Sequence, residues 1–306
     1  MNFPNQILII CIVTFILCSS SDSPTEVQPN PTPEPADTVT ILKPSDIKDY
    51  NKYYKPKEFS SMDVLRSDSK WSFVRSKQSA HFIVFWELGF GLNPNADTVP
   101  EALRVDIDDL LKKAEMYYDI NVNRLKFANV GSGKSNLDKY KMQIYLIYQT
   151  DWLATGAGYD DMIGALWVNP STCKPVGSTI AHEIGHSFQY QVYADLLVSG
   201  ECPNDFSRGF RYGFGGNGGN GFWEQTAQWQ SFQSYPNEVF TSYNFNEYLN
   251  NSHRHIGHEW QRYGSYFIHY YWTDKHGIDF IGKLWREAVA PEDAMGAYMR
   301  VNNLPI

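Results

Sequence analysis

A single helical segment places the strongest constraint on how this 306-residue chain can fold. Ile180, Ile184 and Phe188 recur every four residues, which is the spacing of one face of an α-helix. His182 and His186 are also four residues apart, so they lie one turn apart on the opposite face of the same helix. The fold must therefore bury the apolar face of this helix and bring other elements to the face that carries the two imidazoles.

The sequence His182-Glu183-Ile184-Gly185-His186 has the residues of a metal-dependent hydrolase at the spacing that such a site needs. Two imidazoles one turn apart can bind one Zn²⁺ ion at about 2.0–2.1 Å. Glu183 can hold a metal-bound water and accept its proton, because zinc lowers the pKa of that water towards about 7. We predict His182 and His186 as zinc ligands and Glu183 as the general base. The alternative is a surface helix that binds no metal.

A catalytic zinc site needs a third protein ligand. Glu224 lies near the start of a helix predicted over Phe222–Phe232, and the small Ala227 one turn later allows another helix to approach. We predict Glu224 as the third ligand. The rivals are Glu201 and Asp205, which fall in a predicted loop rich in glycine and asparagine. The alternative for Glu224 is that it only stabilises a helix N-terminus.

Hydrolysis also requires a hydrogen-bond donor for the oxyanion that develops in the transition state. Several candidates follow the Glu224 helix along the chain, namely His253, His255, His258, Tyr263, Tyr266 and His269. From this group we predict Tyr263 and Tyr266 as catalytic donors. The alternative for each residue is a structural or surface role.

The hydrophobic patterns predict an α+β fold with a small mixed sheet, the helix of the two histidines and a mostly helical second half. The elements that these patterns predict are strands at Ser79–Leu88, Met142–Tyr148 and Ile163–Val168, a helix that opens at Thr98–Pro100, and helices at Ser178–Tyr193, Phe222–Phe232, Trp260–Trp272 and Phe280–Ala288. By resemblance to zincins, in which an edge strand precedes the metal-binding helix, the strand Ile163–Val168 is expected to be an edge strand that pairs with an extended substrate by strand addition. The alternative is a buried strand that binds no ligand.

The N-terminal part of the chain predicts export. Ile7–Leu17 is an apolar run too short to span a membrane, which needs roughly 20 residues, and it fits a secretory signal. Cys18 at its end resembles the lipidated cysteine of a bacterial lipoprotein. We therefore predict a signal peptide over residues 1–18, a proline- and serine-rich flexible linker over 19–45, and a hydrolase domain over 46–306. The alternative is a plain secreted or periplasmic protein.

Composition narrows the class of partner. The net charge is −8 and no basic stripe is present, which argues against nucleic acid binding. Phe, Trp and Tyr make up 15% of the residues, a share that suits a large core and also a surface that grips sugar rings or peptide side chains.

Three further motifs do not indicate a nucleotide site or a second metal site. Gly131-Ser132-Gly133-Lys134-Ser135 lacks the first glycine of a phosphate-binding loop, because Ala128 stands at that place. Residues 216–221 match a dinucleotide-binding glycine pattern, but no strand leads into them, so a mobile loop is the better interpretation. Cys173 and Cys202 flank the histidine helix, and a disulfide between them is predicted for an exported protein, with two free thiols as the alternative.

From Trp71 to about Tyr298 the chain resembles an uncharacterised group of secreted bacterial lipoproteins with a gluzincin-like domain. The segments that carry the resemblance are Ser79–Val84, the His182–His186 motif and Phe222–Ala227. The resemblance implies a zincin-like fold, His182, His186 and Glu224 as zinc ligands, and Glu183 as general base. It does not imply a substrate.

The sequence thus predicts a zinc metallopeptidase anchored at the cell surface or outer membrane, acting on proteins or glycoproteins and contacting the membrane only through its N-terminal lipid. The first alternative is a surface module that binds glycans or a host protein while its metal is only structural or vestigial. The second is a structural lipoprotein with no metal.

Overall fold

The computed structural model describes residues 39–200, 217–290 and 292–305. The predicted signal peptide and most of the predicted linker lie outside this part of the chain. Residues 40–42, at the C-terminal end of the predicted linker, pair with residues 65–67. The Thr40 backbone amide donates to Ser67 Oγ at 2.9 Å, and the Leu42 amide donates to the Leu65 carbonyl at 2.9 Å.

The described residues form one five-stranded mixed sheet, which confirms the α+β class. Its strands are β1 (Ser76–Gln78), β2 (Phe82–Trp86), β3 (Met142–Leu146), β4 (Ala154–Tyr159) and β5 (Ile163–Val168). In space the order is β1-β2-β3-β5-β4. The three central strands run parallel to one another, and β1 and β4 lie antiparallel at the two edges. Every residue of β2 and β3 is buried, as expected for strands covered on both faces.

Strand β4 was not predicted from the sequence, and it changes the role expected for β5. The bounds predicted for β5 are correct, but β5 lies between β3 and β4, so the prediction that it is the edge strand is wrong. The edge strand is β4, whose sequence Ala-Thr-Gly-Ala-Gly-Tyr is poor in residues that favour strands. The fold uses its small residues for close contact with a helix. A Cβ at Gly156 would lie 2.0 Å from the Glu183 carbonyl oxygen.

Seven α-helices lie in the described part of the chain, five of them after residue 216, which confirms the mostly helical second half. They are α1 (Ile107–Asp119), α2 (Ser178–Val198), α3 (Asn217–Phe232), α4 (Tyr243–Asn251), α5 (Phe267–His276), α6 (Phe280–Glu287) and α7 (Ala294–Val301). None of the helices described here is both long enough and apolar enough to cross a membrane.

Several helix boundaries differ from the prediction. Helix α2 continues to Val198, past the predicted end at Tyr193. Helix α1 begins at Ile107 rather than near Pro100, because the Asp106 side chain accepts the amides of Asp108 and Asp109 and caps the helix there. Helix α3 begins at Asn217, inside the predicted loop, whose residues 201–216 are not described. The stretch predicted as one helix over Trp260–Trp272 contains a short 3₁₀ turn followed by α5.

Two of the minor motifs have simple structural explanations. The backbone amides of Gly131 and Gly133 donate to the Asp138 carboxylate at 2.6 and 2.7 Å, so this glycine loop is folded onto an internal acid. Cys173 is a buried free cysteine, so the predicted disulfide is not formed. Cys202 lies outside the described residues. Spacing along the chain could not reveal this, because a disulfide depends on the distance between two cysteines in space.

Candidate metal centre

Three of the predicted site residues converge on one point between α2 and α3. The Nε2 atoms of His182 and His186 lie 3.1 and 3.0 Å from Glu224 Oε2. The ligand atoms of the three residues all lie within 4.8 Å of one another, and all three side chains are largely buried. The structure therefore brings together a His182–His186–Glu224 cluster that could bind a metal ion. Of the rival ligands, Glu201 and Asp205 lie outside the described residues.

The close packing of α2 on α3 sets this geometry. A Cβ at Gly185 would lie 3.3 Å from Ala227 Cα and 3.0 Å from Gln230 Oε1. A larger residue at either small position would push the helices apart and move Glu224 away from the two imidazoles. Gly185 costs about 1 kcal/mol of helix stability relative to alanine. In return, the absence of a side chain at Gly185 allows α2 and α3 to approach closely enough to bring Glu224 to the two imidazoles.

A chain of buried amides fixes the proton on His186. Gln189 Oε1 lies 3.0 Å from His186 Nδ1, while Gln189 Nε2 donates to the Trp223 carbonyl and to Gln230 Oε1. Gln230 Nε2 donates in turn to Asn121 Oδ1, and Asn121 Nδ2 donates to a backbone carbonyl. Because backbone carbonyls orient the amides, Gln189 presents its oxygen to His186. The Nδ1 atom of His186 must therefore carry the proton.

This assignment leaves the Nε2 lone pair of a neutral His186 facing a carboxylate oxygen at 3.0 Å. Two acceptors at that distance need a cation between them, either a second proton on the imidazole or a metal ion. Ligands at about 2.0–2.1 Å from a tetrahedral zinc ion are about 3.3 Å apart, close to the separations seen here. The donor set thus fits a metal ion in chemistry and in spacing.

Electrostatics favour an ionised Glu224. Burial acts to raise the pKa of its carboxyl group, but the hydrogen bonds and charges of His182 and His186 outweigh burial and hold the pKa well below its usual range. The carboxylate therefore remains charged at any pH near neutral, as a metal ligand must.

Glu183, the predicted general base, extends from α2 to the backbone of β4. The Gly156 amide donates to Glu183 Oε2 at 2.6 Å. Burial raises the pKa of the Glu183 carboxyl group, although His182 and the Gly156 amide act in the opposite direction. A carboxylate with a raised pKa is a better proton acceptor, and one of its two oxygens is already oriented by the edge strand.

The two predicted tyrosines have different surroundings. The ring centroids of Tyr263 and His182 lie 6.0 Å apart, and Tyr263 lines a cleft beside the cluster. Burial and the Glu224 carboxylate raise the pKa of Tyr263 to about 12, so its hydroxyl stays protonated and can donate. Tyr266 is fully buried and donates to the Val239 carbonyl at 2.5 Å. It is not among the described residues that line the cleft.

A cleft of about 920 Å³ opens beside the cluster. Its lining includes the three candidate ligands, Glu183 and Tyr263, together with Ala154–Ala157 of β4. The edge strand therefore forms one wall of the cleft, and the α3–α4 connection contributes to another. A substrate of several residues would have room beside the cluster.

A family model described as a family of unknown function, DUF6055, matches residues 45–305. The chain belongs to the DUF6055 family. No curated protein and no solved structure matches it. The match of DUF6055 covers the whole of α2 and α3, so the candidate metal centre lies within the family domain, but the family names no activity.

Sequence reasoning missed two functional residues of this DUF6055 protein. Gln189 follows His186 by three residues on the same helix, so helical spacing would have placed it beside that imidazole. Gly156 contacts Glu183 from a strand that no sequence pattern indicated, and no local signal could have revealed it.

Proposed function

We propose that the protein is a zinc-dependent hydrolase that cleaves a peptide bond in proteins or glycoproteins outside the cytoplasm. The observation that carries the proposal is the lone pair of His186 Nε2, which faces the Glu224 carboxylate next to a buried Glu183. A zinc ion held by His182, His186 and Glu224 would supply a Lewis acid and lower the pKa of a bound water towards about 7.

Glu183 is the residue that moves the proton in this proposal. Its Oε2 atom accepts the Gly156 amide, which leaves the other oxygen for the attacking water. As the water oxygen bonds to the substrate carbonyl carbon, Glu183 accepts the proton, and it returns that proton to the nitrogen when the C–N bond breaks. The Tyr263 hydroxyl lines the cleft and can donate to the oxyanion that develops on the carbonyl oxygen.

The edge strand is suited to hold an extended substrate. The Asn169 amide donates to the Leu153 carbonyl, and Ala154 pairs with Val168 in the β4–β5 register. Because backbone groups alternate in direction along an antiparallel ladder, Ala154 and Gly156 turn theirs away from β5. The Gly156 amide faces Glu183, and the other outward groups can pair with a substrate backbone by strand addition.

The first test combines zinc content with turnover. The protein is purified without chelator, zinc per chain is counted by elemental mass spectrometry, and cleavage of a mixed peptide library is measured. We expect about one zinc per chain, lost in His186→Ala and weakened in Glu224→Ala. Glu183→Gln should keep its zinc and lose at least about 100-fold in cleavage rate.

Two other outcomes would redirect the interpretation. Absence of zinc after reconstitution would overturn the proposal. Bound zinc without cleavage by the wild type, together with peptide or glycan binding that Glu183→Gln leaves unchanged, would favour a binding module with a structural metal.

We also propose that the protein is exported and anchored through a lipid on Cys18, since the apolar run, the cysteine and the proline-rich segment follow one another in the order of a lipoprotein. Retention of Cys18→Ser in the membrane fraction would contradict this.

A further inference from the structure

One end of the cleft has a chemistry of its own. Trp152, Ser178, Thr179 and Glu238 line the cleft and also line a smaller adjoining pocket, so these four residues lie together. We call them the α2-end subsite, because Ser178 and Thr179 form the first turn of α2. They stand one helical turn before His182, so this subsite lies next to the metal centre.

The described lining of the cleft is negatively charged. Among the described residues that line it, the acidic side chains are Glu183, Glu224 and Glu238, and there is no lysine or arginine. The proposed reaction uses Glu183 and Glu224. Glu238 makes no ion pair with any described residue, which leaves one carboxylate that the proposed metal and water do not occupy.

Two lysines near this end do not form an ion pair with Glu238. Lys113 and Lys174 line the adjoining pocket with Glu238. The Lys113 ammonium bonds to the Val176 carbonyl and pairs with Asp109, and the Lys174 ammonium bonds to a backbone carbonyl of the 3₁₀ turn before α1. The N-terminus of α2 carries about half a positive charge, which is less than the full negative charge of Glu238.

Two exposed aromatic rings line the cleft together with this carboxylate. Trp152 is 66% exposed, and Tyr243, which also lines the cleft, is 73% exposed. An exposed indole attracts a cation through its π-face, and a carboxylate attracts the same cation through its charge. A neutral sugar would gain from the rings but would leave the charge of Glu238 without a partner.

The direction of β4 indicates which part of a peptide reaches the subsite. Gly156 lies against Glu183 and Gly158 lies against Tyr190, so β4 runs in the same direction as α2. Its first residue, Ala154, is therefore at the Glu238 end. Antiparallel pairing is the more stable arrangement of two strands. A substrate paired antiparallel to β4 therefore has its C-terminal part at the Glu238 end.

We propose that the α2-end subsite binds the lysine or arginine side chain of the substrate residue that follows the cleaved peptide bond. Glu238 supplies the carboxylate and Trp152 supplies the ring. This inference rests on the proposed hydrolase function, which it extends from a reaction to a preference for basic residues.

The first arm of the test reads cleavage sites. The zinc-loaded protein digests a mixed peptide library, and the new N-termini are identified by mass spectrometry. We expect lysine and arginine to be enriched about fivefold at the new N-terminus, the size expected for one partly exposed ion pair. Glu238→Gln should lose this enrichment and keep its zinc, and Glu238→Lys should favour acidic residues. Asp274→Asn, on the exposed face of α5, is the matched control and should behave as wild type.

The second arm measures binding without turnover. Fluorescent peptide pools that contain a fixed lysine, glutamine or glutamate are titrated into zinc-loaded Glu183→Gln, with and without Glu238→Gln. Tighter binding of the lysine pool that depends on Glu238 supports the subsite. Equal binding of the three pools, or tighter binding of the lysine pool that Glu238→Gln leaves unchanged, overturns it.

The two proposals fail separately. If the wild type cleaves the library without a basic preference, only the subsite is wrong. If the wild type cleaves nothing, the hydrolase function is wrong, and the binding arm alone then decides whether Glu238 recognises a cation.

Discussion

At the scale of single residues, Gln189 connects the metal centre to the core. Its Oε1 atom accepts a hydrogen bond from His186 Nδ1, and its Nε2 atom donates to the Trp223 carbonyl and to Gln230 Oε1. Groups that orient a ligating histidine from behind typically contribute 10–100-fold to metal affinity. Gln189 is a neutral amide, so it orients His186 and fixes its proton without adding negative charge to the site.

We expect Gln189→Leu to weaken zinc binding about 10- to 100-fold, because His186 loses the acceptor that fixes its proton and ring orientation. Zinc affinity would be measured by competition with a chromophoric chelator. Gln191→Leu is a matched control, since Gln191 is also a buried glutamine of α2 but bonds to the Gly164 amide and Asp195. An equal loss of affinity in both variants would show a general effect of unfolding, not a positioning role.

His269 shows how burial constrains a titrating group. Thr226 Oγ1 donates to the Phe222 carbonyl, so His269 Nε2, at 2.9 Å, must be the donor to that hydroxyl. Its Nδ1 atom is buried without a partner. A proton there would have no acceptor, and burial lowers the pKa of His269 to about 3.

This predicts a pH-dependent stability. The folded-state pKa lies below the unfolded value of about 6.5, so the stabilisation is complete above pH 6.5 and is lost as the pH falls below it. Wild type should lose about 2 kcal/mol of unfolding free energy relative to His269→Gln between pH 7 and pH 5. Urea unfolding of both proteins across this range measures the difference. A difference that does not change with pH would contradict the buried neutral histidine.

At the scale of elements, the sequence predicted the helices better than the sheet edge. Helix α2 was predicted because apolar residues recur every four positions and the two histidines share one face. Glu224 was predicted because it lies near the start of the helix predicted over Phe222–Phe232, although α3 in fact begins at Asn217. Strand β4 was missed because its glycines are selected by contact with α2, and such contacts between distant segments leave no periodic pattern in the chain.

Residues three apart in one segment can also have different fates. Tyr263 lines the cleft, whereas Tyr266 is packed in the core against Phe232. The sequence predicted both as donors because both are tyrosines that follow the helices of the candidate ligands. It could not distinguish them, because the predicted helix over Trp260–Trp272 is in fact a 3₁₀ turn and a separate helix, which changes the faces that the two rings occupy.

The close approach of β4 to α2 makes a specific prediction for glycine. We expect Gly156→Ala to destabilise the protein by more than about 2 kcal/mol, because the new Cβ would lie 2.0 Å from a backbone oxygen of α2 that cannot move away cheaply. Gly221→Ala is the opposite case. A Cβ added at Gly221 would lie 3.7 Å from its nearest described neighbour, an ordinary contact distance. Because Gly221 lies in α3, the higher helix propensity of alanine should raise the free energy of unfolding by up to about 1 kcal/mol. Thermal unfolding of both variants tests the pair, and equal effects would be evidence against the packing described.

At the scale of the whole molecule, the candidate metal centre joins two parts of the fold. Helix α2 packs on the sheet through β4 and β5 on one side and on α3 on the other, and α3 also packs on the later helices. His182 and His186 come from the first part, and Glu224 comes from the second. A metal ion bound by all three would therefore link them, and its binding free energy would add to the stability of the folded state.

This linkage has a measurable size. A ligand present at 100 times its dissociation constant stabilises the folded state by about 2.7 kcal/mol. For a domain of this size, that corresponds to a rise in Tm of about 5–10 °C. We expect the zinc-loaded protein to lose such an increment on treatment with a chelator and to regain it with added zinc. Magnesium, which prefers octahedral oxygen ligands, should not replace zinc.

The Glu224→Ala variant tests whether the ion links the two helices. It should lower the Tm of the metal-free protein little and abolish most of the zinc-dependent rise in Tm, because the remaining two histidines belong to one helix and no longer link α3. A zinc-dependent rise of full size in Glu224→Ala would mean that the ion is held by other residues and that the two parts of the fold are not joined through this centre.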